Sequence, residues 1–251
     1  MTIEEFFQTV PKAAMGFSGG VDSAYLLYAA AKSGTDIGAY YIKTAFQPDF
    51  ELADARQIAD QLGVELRIIE LDVLARPEIT ANPPDRCYHC KRALFGALIR
   101  QAAADGYDLI LDGTNASDDI DDRPGFRALQ EMRVRSPLRE CGLTKAEIRR
   151  RSKEAGLFTW NKPSYACLAT RVLEPLTQDN LQRADRAEAI VRSFGFTDFR
   201  VRTQNNHALV QIGTSGLEDA RARWTDIHAA LSPLFPNGTE LDRAGRIEEV
   251  F

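Results

Sequence analysis

Two of the four cysteines are spaced in a way that can do chemistry. Cys87 and Cys90 form a C-x-x-C pair near the start of a predicted helix. In a chain with so few cysteines, the pair points to metal, cluster or redox chemistry rather than to a disulfide scaffold. Zinc and an inert or redox-active pair are alternatives to a cluster.

A second candidate site is the hexapeptide S-G-G-V-D-S that begins at Ser18, between a predicted strand and a predicted helix. Gly19 and Gly20 allow a tight turn that brings backbone N–H groups close to an anion, and the hydroxyls of Ser18 and Ser23 add donors. The helix N-terminus attracts phosphate to the same place. A carboxylate beside a phosphate makes sense if Mg²⁺ bridges them, so Asp22 predicts a magnesium-bound nucleotide. A capped strand–helix turn without a ligand is the alternative.

Another polar cluster, Asp112 to Asp119, follows the fourth predicted strand. We expect Gly113 and Asn115 to contact the nucleotide, with Asn115 bonding a ribose or base. Asp118 and its neighbour can hold Mg²⁺ or cap the next turn. Because the carboxyl ends of parallel strands share one edge of a sheet, this cluster should lie beside the hexapeptide. A polar loop with Asx-turns is the alternative.

The elements that must position these residues alternate through the first half of the chain. The predicted strands are 12–17, 37–42, 64–69 and 109–111, and the predicted helices are 23–32, 50–62 and 90–106. This order predicts an α/β fold, in which a mostly parallel sheet is covered by helices.

The second half has a different character. Thr144 and Glu147 form a capping-box pattern before a predicted helix. Further predicted helices are 145–155, 179–194 and 217–231, and the predicted strands are 199–203 and 208–212. We therefore place a nucleotide-binding domain at residues 1–175 and a small α+β domain, for substrate binding or oligomerisation, at residues 176–251.

The hexapeptide resembles the PP-loop of the ATP pyrophosphatases, a superfamily that includes GMP, NAD and asparagine synthetases and the tRNA thiolases. The resemblance implies the adenine nucleotide alpha hydrolase-like fold and a shared first step. A substrate oxygen attacks the α-phosphate of ATP, so that the substrate is adenylated and pyrophosphate leaves. A second nucleophile then displaces AMP.

Longer motifs resemble one subfamily, the LarE family of ATP-dependent sulfur transferases of nickel-pincer nucleotide synthesis. The resemblance runs from about residue 14 to Arg171, and more weakly beyond. The motifs that carry it are N-P-P-D-R-C-Y-H-C-K-R-A-L-F (82–95), R-P-G-F-R (123–127), R-S-P-L (135–138) and W-N-K-P-S-Y-A-C-L-A-T-R (160–171). It implies that a carboxylate of a pyridinium dicarboxylate mononucleotide is adenylated and converted to a thiocarboxylate.

The resemblance implies two possible sulfur sources. In one variant of the family, a lone cysteine that matches Cys167 gives up its own sulfur and becomes dehydroalanine. In the other variant, three cysteines hold a 4Fe-4S cluster that carries an extra sulfide. Because this chain has Cys87, Cys90 and Cys167, we expect the cluster type and keep sacrifice of Cys167 as the alternative.

Arg200 and Arg202 alternate along a predicted strand and so share one face. By resemblance they match a segment that holds anionic substrate, and the alternative is a solvated strand face. Here the chain departs from the family, because Gln211 stands where the family has a carboxylate. The loop after Arg171 is also shorter, and Trp160-Asn161 replaces a common Trp-Asp pair. These differences leave the adenylation step unaffected but bear on the acceptor.

Composition limits the remaining possibilities. The net charge of −5 argues against a general nucleic-acid or membrane-surface binder. No apolar run is long enough to span a bilayer, and the acidic N-terminus does not look like a signal peptide, so we expect a cytoplasmic protein. We also expect it to form homo-oligomers. Other PP-loop functions remain open: amidation of the NAD synthetase type, tRNA thiolation, and a non-catalytic nucleotide or redox sensor.

Overall fold

The computed structural model describes residues 1–119 and 124–246, and the chain forms two compact units. The unit bounds are Met1–Val73 with Pro84–Ser164 for the first, and Leu74–Pro83 with Tyr165–Phe251 for the second. The predicted domain boundary lies after residue 175. The structural units instead change at Tyr165, and the second unit also takes the segment Leu74–Pro83 from within the first half of the chain.

Helices account for most of the regular structure. They are α1 (Ile3–Gln8), α2 (Val21–Lys32), α3 (Asp49–Leu62), α4 (Pro77–Thr80), α5 (Arg86–Ala104), α6 (Pro124–Glu131), α7 (Pro137–Glu140), α8 (Lys145–Glu154), α9 (Gln178–Ser193), α10 (Leu217–Ala222) and α11 (Trp224–Leu231). Of these, α4 and α9 to α11 belong to the second unit. Among the described helices, none has the length and apolar character needed to cross a membrane.

The first unit is built on a four-stranded parallel sheet in the order β3-β2-β1-β4. The strands are β1 (Lys12–Gly16), β2 (Asp36–Lys43), β3 (Leu66–Glu70) and β4 (Ile110–Leu111). Ala14 pairs with Gly38 on one side and with Ile110 on the other. All four strands run in the same direction, so the loops after β1 and β4 leave from the same edge. The predicted α/β fold with a parallel sheet is thereby confirmed.

Helices cover both faces of this sheet. Because side chains alternate along each strand, successive residues pack against helices on opposite faces. Ala13 and Met15 of β1 belong to a buried cluster that includes α1, α2 and α8. Ala14, between them, belongs to a second cluster that includes Phe95 and Leu98 of α5. Burial on both faces explains why the middle of β1, Ala13 to Met15, is apolar without interruption. The edge strand β3 is only partly buried and carries Arg67 and Glu70.

The second unit has a three-stranded mixed sheet. Its strands are β5 (Phe199–Gln204), β6 (His207–Ile212) and β7 (Thr239–Leu241), in the order β5-β6-β7. The β5–β6 pair is antiparallel, and β7 runs parallel to β6. Val201 and Val210 pack with Val191 of α9 and Ile227 of α11 in one apolar cluster. The predicted small α+β domain is confirmed in its architecture, although β7 was not predicted.

One predicted helix is interrupted. Residues 217–231 form α10 and α11, which are separated at Arg223. The Arg223 guanidinium donates to the Phe194 carbonyl (2.8 Å) and lies 3.2 Å from an Asp219 carboxylate oxygen. These contacts stabilise the junction, and a hydrophobic pattern cannot reveal them because they depend on the tertiary fold.

Candidate active site

The S-G-G-V-D-S hexapeptide lies at the carboxyl end of β1 and leads into α2. Gly20 is the N-cap residue of α2 and has extended backbone geometry. Its N–H lies 3.4 Å from Ser18 Oγ, while the Ser23 hydroxyl donates to the Gly20 carbonyl at 3.1 Å. The two serine hydroxyls are 3.1 Å apart. The first N–H groups of a helix have no intrahelical partner, so the loop offers backbone donors to an anion.

Two glycines of the site lie close against neighbouring backbone. Gly19 has φ +73°, and a Cβ at this position would lie 2.9 Å from backbone atoms of Ala55 in α3. At Gly113, a Cβ would lie 3.2 Å from the Ser23 backbone nitrogen. The loops after β1 and β4 therefore approach each other at the start of α2, as the parallel sheet predicted.

Asp22 is the carboxylate at the centre of this site. Its Oδ2 lies 2.5 Å from Lys145 Nζ, and its Oδ1 receives a long, 3.4 Å hydrogen bond from Asn115 Nδ2. Burial raises the pKa of Asp22 above its usual value, and nearby Asp118 acts in the same direction. Lys145, and more weakly Arg149, lower it. Asp22 is thus a partly desolvated carboxylate whose main charge partner is an ammonium group.

The loop after β4 is held together by its own polar side chains. Asp112 is buried and accepts hydrogen bonds from the hydroxyls of Ser136 and Thr114. Asn115 is also buried; its Oδ1 accepts from the Ser117 backbone N–H at 2.8 Å, and its own N–H donates to Asp118 Oδ2 at 2.9 Å. Asn115 therefore shapes this loop and bonds Asp22. Its contact with a ribose or base stays a prediction.

Cys87 and Cys90 lie in the first turns of α5, three residues apart, and so near one face of the helix. Cys87 is exposed and Cys90 is half-buried. The Arg86 guanidinium lies 3.8 Å from Cys87 Sγ. Gly125 of α6 lies against this turn: a Cβ there would be 3.3 Å from Lys91 Cγ and 3.6 Å from the Cys87 carbonyl oxygen. Arg123, the first residue of the R-P-G-F-R motif, falls outside the described residues.

Cys167 belongs to the second unit, where it is the N-cap residue of a short 3-10 helix, Leu168–Thr170. Its carbonyl accepts from the backbone N–H of Thr170 (3.0 Å) and from the Thr170 hydroxyl (2.8 Å). The thiol is half-buried. Among the residues described in this structure, no group of three or more His, Cys, Asp and Glu side chains is arranged to hold a metal ion. Convergence of the three cysteines stays a prediction.

The C-L-A-T-R motif is fixed by its last residue. Arg171 is 1% exposed, and its Nε donates to Glu188 Oε1 of α9 at 2.6 Å. The Tyr165 hydroxyl donates to the other oxygen of Glu188 at 2.9 Å, and the Val201 N–H lies 3.3 Å from Oε1. A fully buried glutamate thus joins the segment around Cys167 to α9 and β5.

The two arginines of β5 lie in different environments. Arg200 is 5% exposed, and burial lowers its pKa to about 10, with Arg171 and Arg246 contributing in the same direction. Arg202 is half-buried; its Nε donates to Gln211 Oε1, and its Nη1 donates to the Thr170 carbonyl, both at 2.9 Å. Both arginines occupy one face of the strand, as predicted. Their role in substrate binding stays a prediction.

Three residues that contact the predicted site residues or their neighbours were not predicted from the sequence: Lys145, Glu188 and Asp242. Lys145 had one available signal, since a lysine in the first turn of a helix opposes the helix dipole and calls for another partner. Glu188 is one of several charged residues on α9, and Asp242 follows a strand that was not predicted. Neither gave a signal in the sequence.

One family model matches the N-terminal part of the chain, and several relatives match most of its length. A family model described as queuosine biosynthesis protein QueC matches residues 12–82. An uncharacterized protein of Synechocystis sp. is 38% identical over 218 residues, which cover 84% of this chain and 80% of the relative. Pyridinium-3,5-bisthiocarboxylic acid mononucleotide synthase of Lactiplantibacillus plantarum is 32% identical over 222 residues, covering 87% and 80%. An uncharacterized protein of Methanocaldococcus jannaschii is 30% identical over 203 residues, covering 80% and 77%.

These similarities agree with the motifs and with the fold. The QueC match contains β1, β2 and β3 together with the hexapeptide at the start of α2. The similarity to the Lactiplantibacillus synthase is too extensive to be confined to the first unit. On the strength of that extended similarity and of the PP-loop at the sheet edge, the chain belongs to the LarE family of PP-loop ATP-dependent sulfur transferases.

Proposed function

We propose that this protein adenylates a carboxylate of a pyridinium dicarboxylate mononucleotide and converts it to a thiocarboxylate. The observation that carries the proposal is the 32% identity, over 87% of this chain, to a synthase whose name specifies the bisthiocarboxylic acid product. The hexapeptide at the start of α2 supports the ATP-dependent half of the reaction. The three cysteines support the sulfur-transfer step, and Arg200 and Arg202 support binding of the acceptor.

In the first step, a carboxylate oxygen of the acceptor attacks the α-phosphorus of ATP, the α–β phosphoanhydride bond breaks, and pyrophosphate leaves. The residues assigned to ATP are Ser18, Gly19, Gly20, Asp22 and Ser23, with Gly113 and Asn115 beside them. Their backbone N–H groups and hydroxyls would bind phosphate oxygens, and no proton needs to be moved by a side chain. The site thus acts by positioning and by charge stabilisation.

Magnesium fits the acidic side of this site. Asp22 Oδ1 accepts only the 3.4 Å hydrogen bond from Asn115 among the described residues, which leaves it able to bind a cation. Mg²⁺ prefers carboxylate and phosphate oxygens and would neutralise the departing pyrophosphate. Lys145, which is paired with Asp22, would supply a second positive charge to the same phosphates.

For the second half-reaction we propose that Cys87, Cys90 and Cys167 hold a 4Fe-4S cluster. Cys87 and Cys90 fit as two of the ligands, because they lie one helical turn apart, neither is in a disulfide, and Cys87 is exposed. Cys167 would complete the set. When bound, the cluster would supply an open iron site for the sulfide to be transferred. Sacrifice of the Cys167 sulfur remains the alternative.

We assign Arg200 and Arg202 to the anionic groups of the acceptor. Arg200 is buried near Arg171 and Arg246. These two are paired with Glu188 and Asp198 respectively, so an anionic group of the acceptor would supply a charge partner for Arg200. Charge-assisted hydrogen bonds from guanidinium groups are suited to phosphate and carboxylate. A cytoplasmic location and a homo-oligomeric state complete the proposal.

Pyrophosphate release and product analysis test this function together. The purified protein, kept anaerobic, would be supplied with Mg²⁺, ATP and one acceptor at a time: the pyridinium dicarboxylate mononucleotide, nicotinic acid adenine dinucleotide with ammonia, or tRNA. We expect pyrophosphate only with the first acceptor, and a thiocarboxylate product by mass spectrometry. Release with tRNA or with the dinucleotide would assign the chain to thiolation of RNA or to amidation. ATP binding without release under any condition would indicate a sensor.

A further inference from the structure

A chain of three polar side chains crosses the sheet of the second unit. Arg202 Nε donates to Gln211 Oε1 at 2.9 Å, and Gln211 Nε2 donates to Asp242 Oδ2 at 2.9 Å. Arginine has only donors and an ionised aspartate has only acceptors, so the orientation of the amide between them is determined. Gln211 can satisfy both neighbours in one way only, with its oxygen towards Arg202.

The far end of this chain is itself anchored. Asp242 directly follows β7, and its N–H donates to the Val210 carbonyl of β6 at 2.8 Å. Its second carboxylate oxygen accepts from the Ala244 N–H at 3.0 Å. Because backbone hydrogen bonds fix Asp242, its carboxylate holds the amide of Gln211 in place. That amide in turn restricts the guanidinium of Arg202.

We propose that Asp242 is a positioning residue for Arg202, acting through Gln211. Its carboxylate lies one hydrogen bond further from Arg202 than the side chain of Gln211 does. The effect on catalysis rests on the proposed role of Arg202 in binding the acceptor, whereas the positioning of Arg202 does not.

The arrangement couples positions 211 and 242. A glutamate at 211 would bring two carboxylates together where an N–H···O hydrogen bond now exists, and like charges at this distance repel. With asparagine at 242, the same glutamate would accept from both Arg202 and the new amide, while the amide oxygen of that asparagine still accepted from Ala244. The double change Q211E with D242N therefore keeps every hydrogen bond and the total charge.

The experiment compares four variants of the full-length protein: Gln211→Glu, Asp242→Ala, Gln211→Glu with Asp242→Asn, and the exposed control Asp226→Asn. The apparent KM is measured for the mononucleotide and for ATP. We expect the KM for the acceptor to rise about tenfold in Gln211→Glu and about fivefold in Asp242→Ala. The double variant should return to within about threefold of the parent, since its hydrogen bonds are restored. The KM for ATP and the control should not change.

A second measurement does not depend on turnover. Solvent exchange of the Arg202 Nε–H proton is measured by NMR, with the resonance assigned from Arg202→Lys. We expect exchange at least about fivefold faster in Asp242→Ala and near-parental exchange in the double variant. Unchanged exchange in Asp242→Ala, or a double variant no better than Gln211→Glu, would overturn the proposal. Faster exchange with an unchanged acceptor KM would support positioning by Asp242 and overturn the acceptor role of Arg202.

Discussion

The two candidate anion sites of this protein are built from different materials. In the first unit, the phosphate loop uses backbone N–H groups and two hydroxyls supplied by six consecutive residues, Ser18 to Ser23. In the second unit, the arginine face consists of the guanidinium groups of Arg200 and Arg202. That of Arg202 is held by Thr170, by Gln211 and, through Gln211, by Asp242. One site is local in the chain, and the other is assembled from distant segments.

The difference has an energetic consequence. Backbone donors carry partial charge and are already solvated poorly in a folded loop, so directing them at a phosphate adds little desolvation cost. Burying a guanidinium is expensive, and the lowered pKa of Arg200, at about 10, reports this cost. We therefore expect substitutions in the first site to lower the rate of adenylation strongly. Substitutions in the second site should weaken acceptor binding while leaving the free energy of unfolding unchanged or raising it.

The largest effect is expected at Asp22. Asp22→Ala removes the carboxylate that can bind Mg²⁺ and leaves Lys145 without its partner, so pyrophosphate release should fall by about a thousandfold or more. Asp36→Ala, at the start of β2 and away from the carboxyl edge of the sheet, is the matched control and should stay near the parent rate. Circular dichroism would verify that both variants fold. A rate for Asp22→Ala close to that of the control would remove Asp22 from the site.

The next largest effect is expected at the three cysteines, whose replacement should stop sulfur transfer but not adenylation. Replacing Cys87, Cys90 or Cys167 by Ala should abolish iron binding, about four irons per chain in the parent, together with thiocarboxylate formation. Pyrophosphate release should continue, because the phosphate loop is a separate element. Cys141→Ala is the control: this thiol is half-buried and donates to the Thr2 carbonyl.

The pattern across the cysteines distinguishes the two sulfur sources. If Cys87→Ala and Cys90→Ala keep full single-turnover transfer while Cys167→Ala loses it, the cluster proposal is wrong. Cys167 would then be consumed, and mass spectrometry of the protein after one turnover should find dehydroalanine at this position.

A smaller effect, of mixed sign, is expected at Arg200. Arg200→Met removes a buried charge but keeps the length of the side chain. The apparent dissociation constant of the acceptor should rise about tenfold, whereas the free energy of unfolding should stay constant or rise by about 1 kcal/mol. Arg221→Ala, on the exposed side of α10, should change neither quantity. A large loss of stability would mean that Arg200 is structural instead of ligand-binding.

A pair of glycine variants, read out by stability alone, separates close packing from backbone strain. Gly19→Ala should destabilise the fold by about 2–4 kcal/mol, since it combines a positive φ with a Cβ placed against Ala55. Gly63→Ala also has a positive φ, +64°, but nothing lies within 4 Å of its Cβ, so it should cost only about 1 kcal/mol. Denaturant unfolding measures both. Equal losses would show that the approach of α3 does not constrain the phosphate loop.

The same contrast explains what the sequence could predict. The phosphate loop, its glycines and the flanking β1 and α2 are local, so their residue types and order identify them. The pairing of Lys145 with Asp22 joins residues that are far apart in the chain, and the Arg202–Gln211–Asp242 contacts depend on β7, whose three residues are too short to give a pattern. Where a site is assembled by tertiary packing, the sequence indicates the residue types but not their partners.

The second unit is formed by two segments that are far apart in the chain, and this affects how the protein folds during translation. The segment Leu74–Pro83 is made early, yet its partners belong to the second unit: Asn82 Nδ2 donates to the Val172 and Glu174 carbonyls at 2.8 and 2.9 Å, and the Leu176 N–H donates to the Thr80 carbonyl at 2.7 Å. During translation, this segment must wait for the residues after Tyr165 to emerge. The units are joined by three covalent crossings rather than by one, so no single proteolytic cut or gene truncation separates them cleanly.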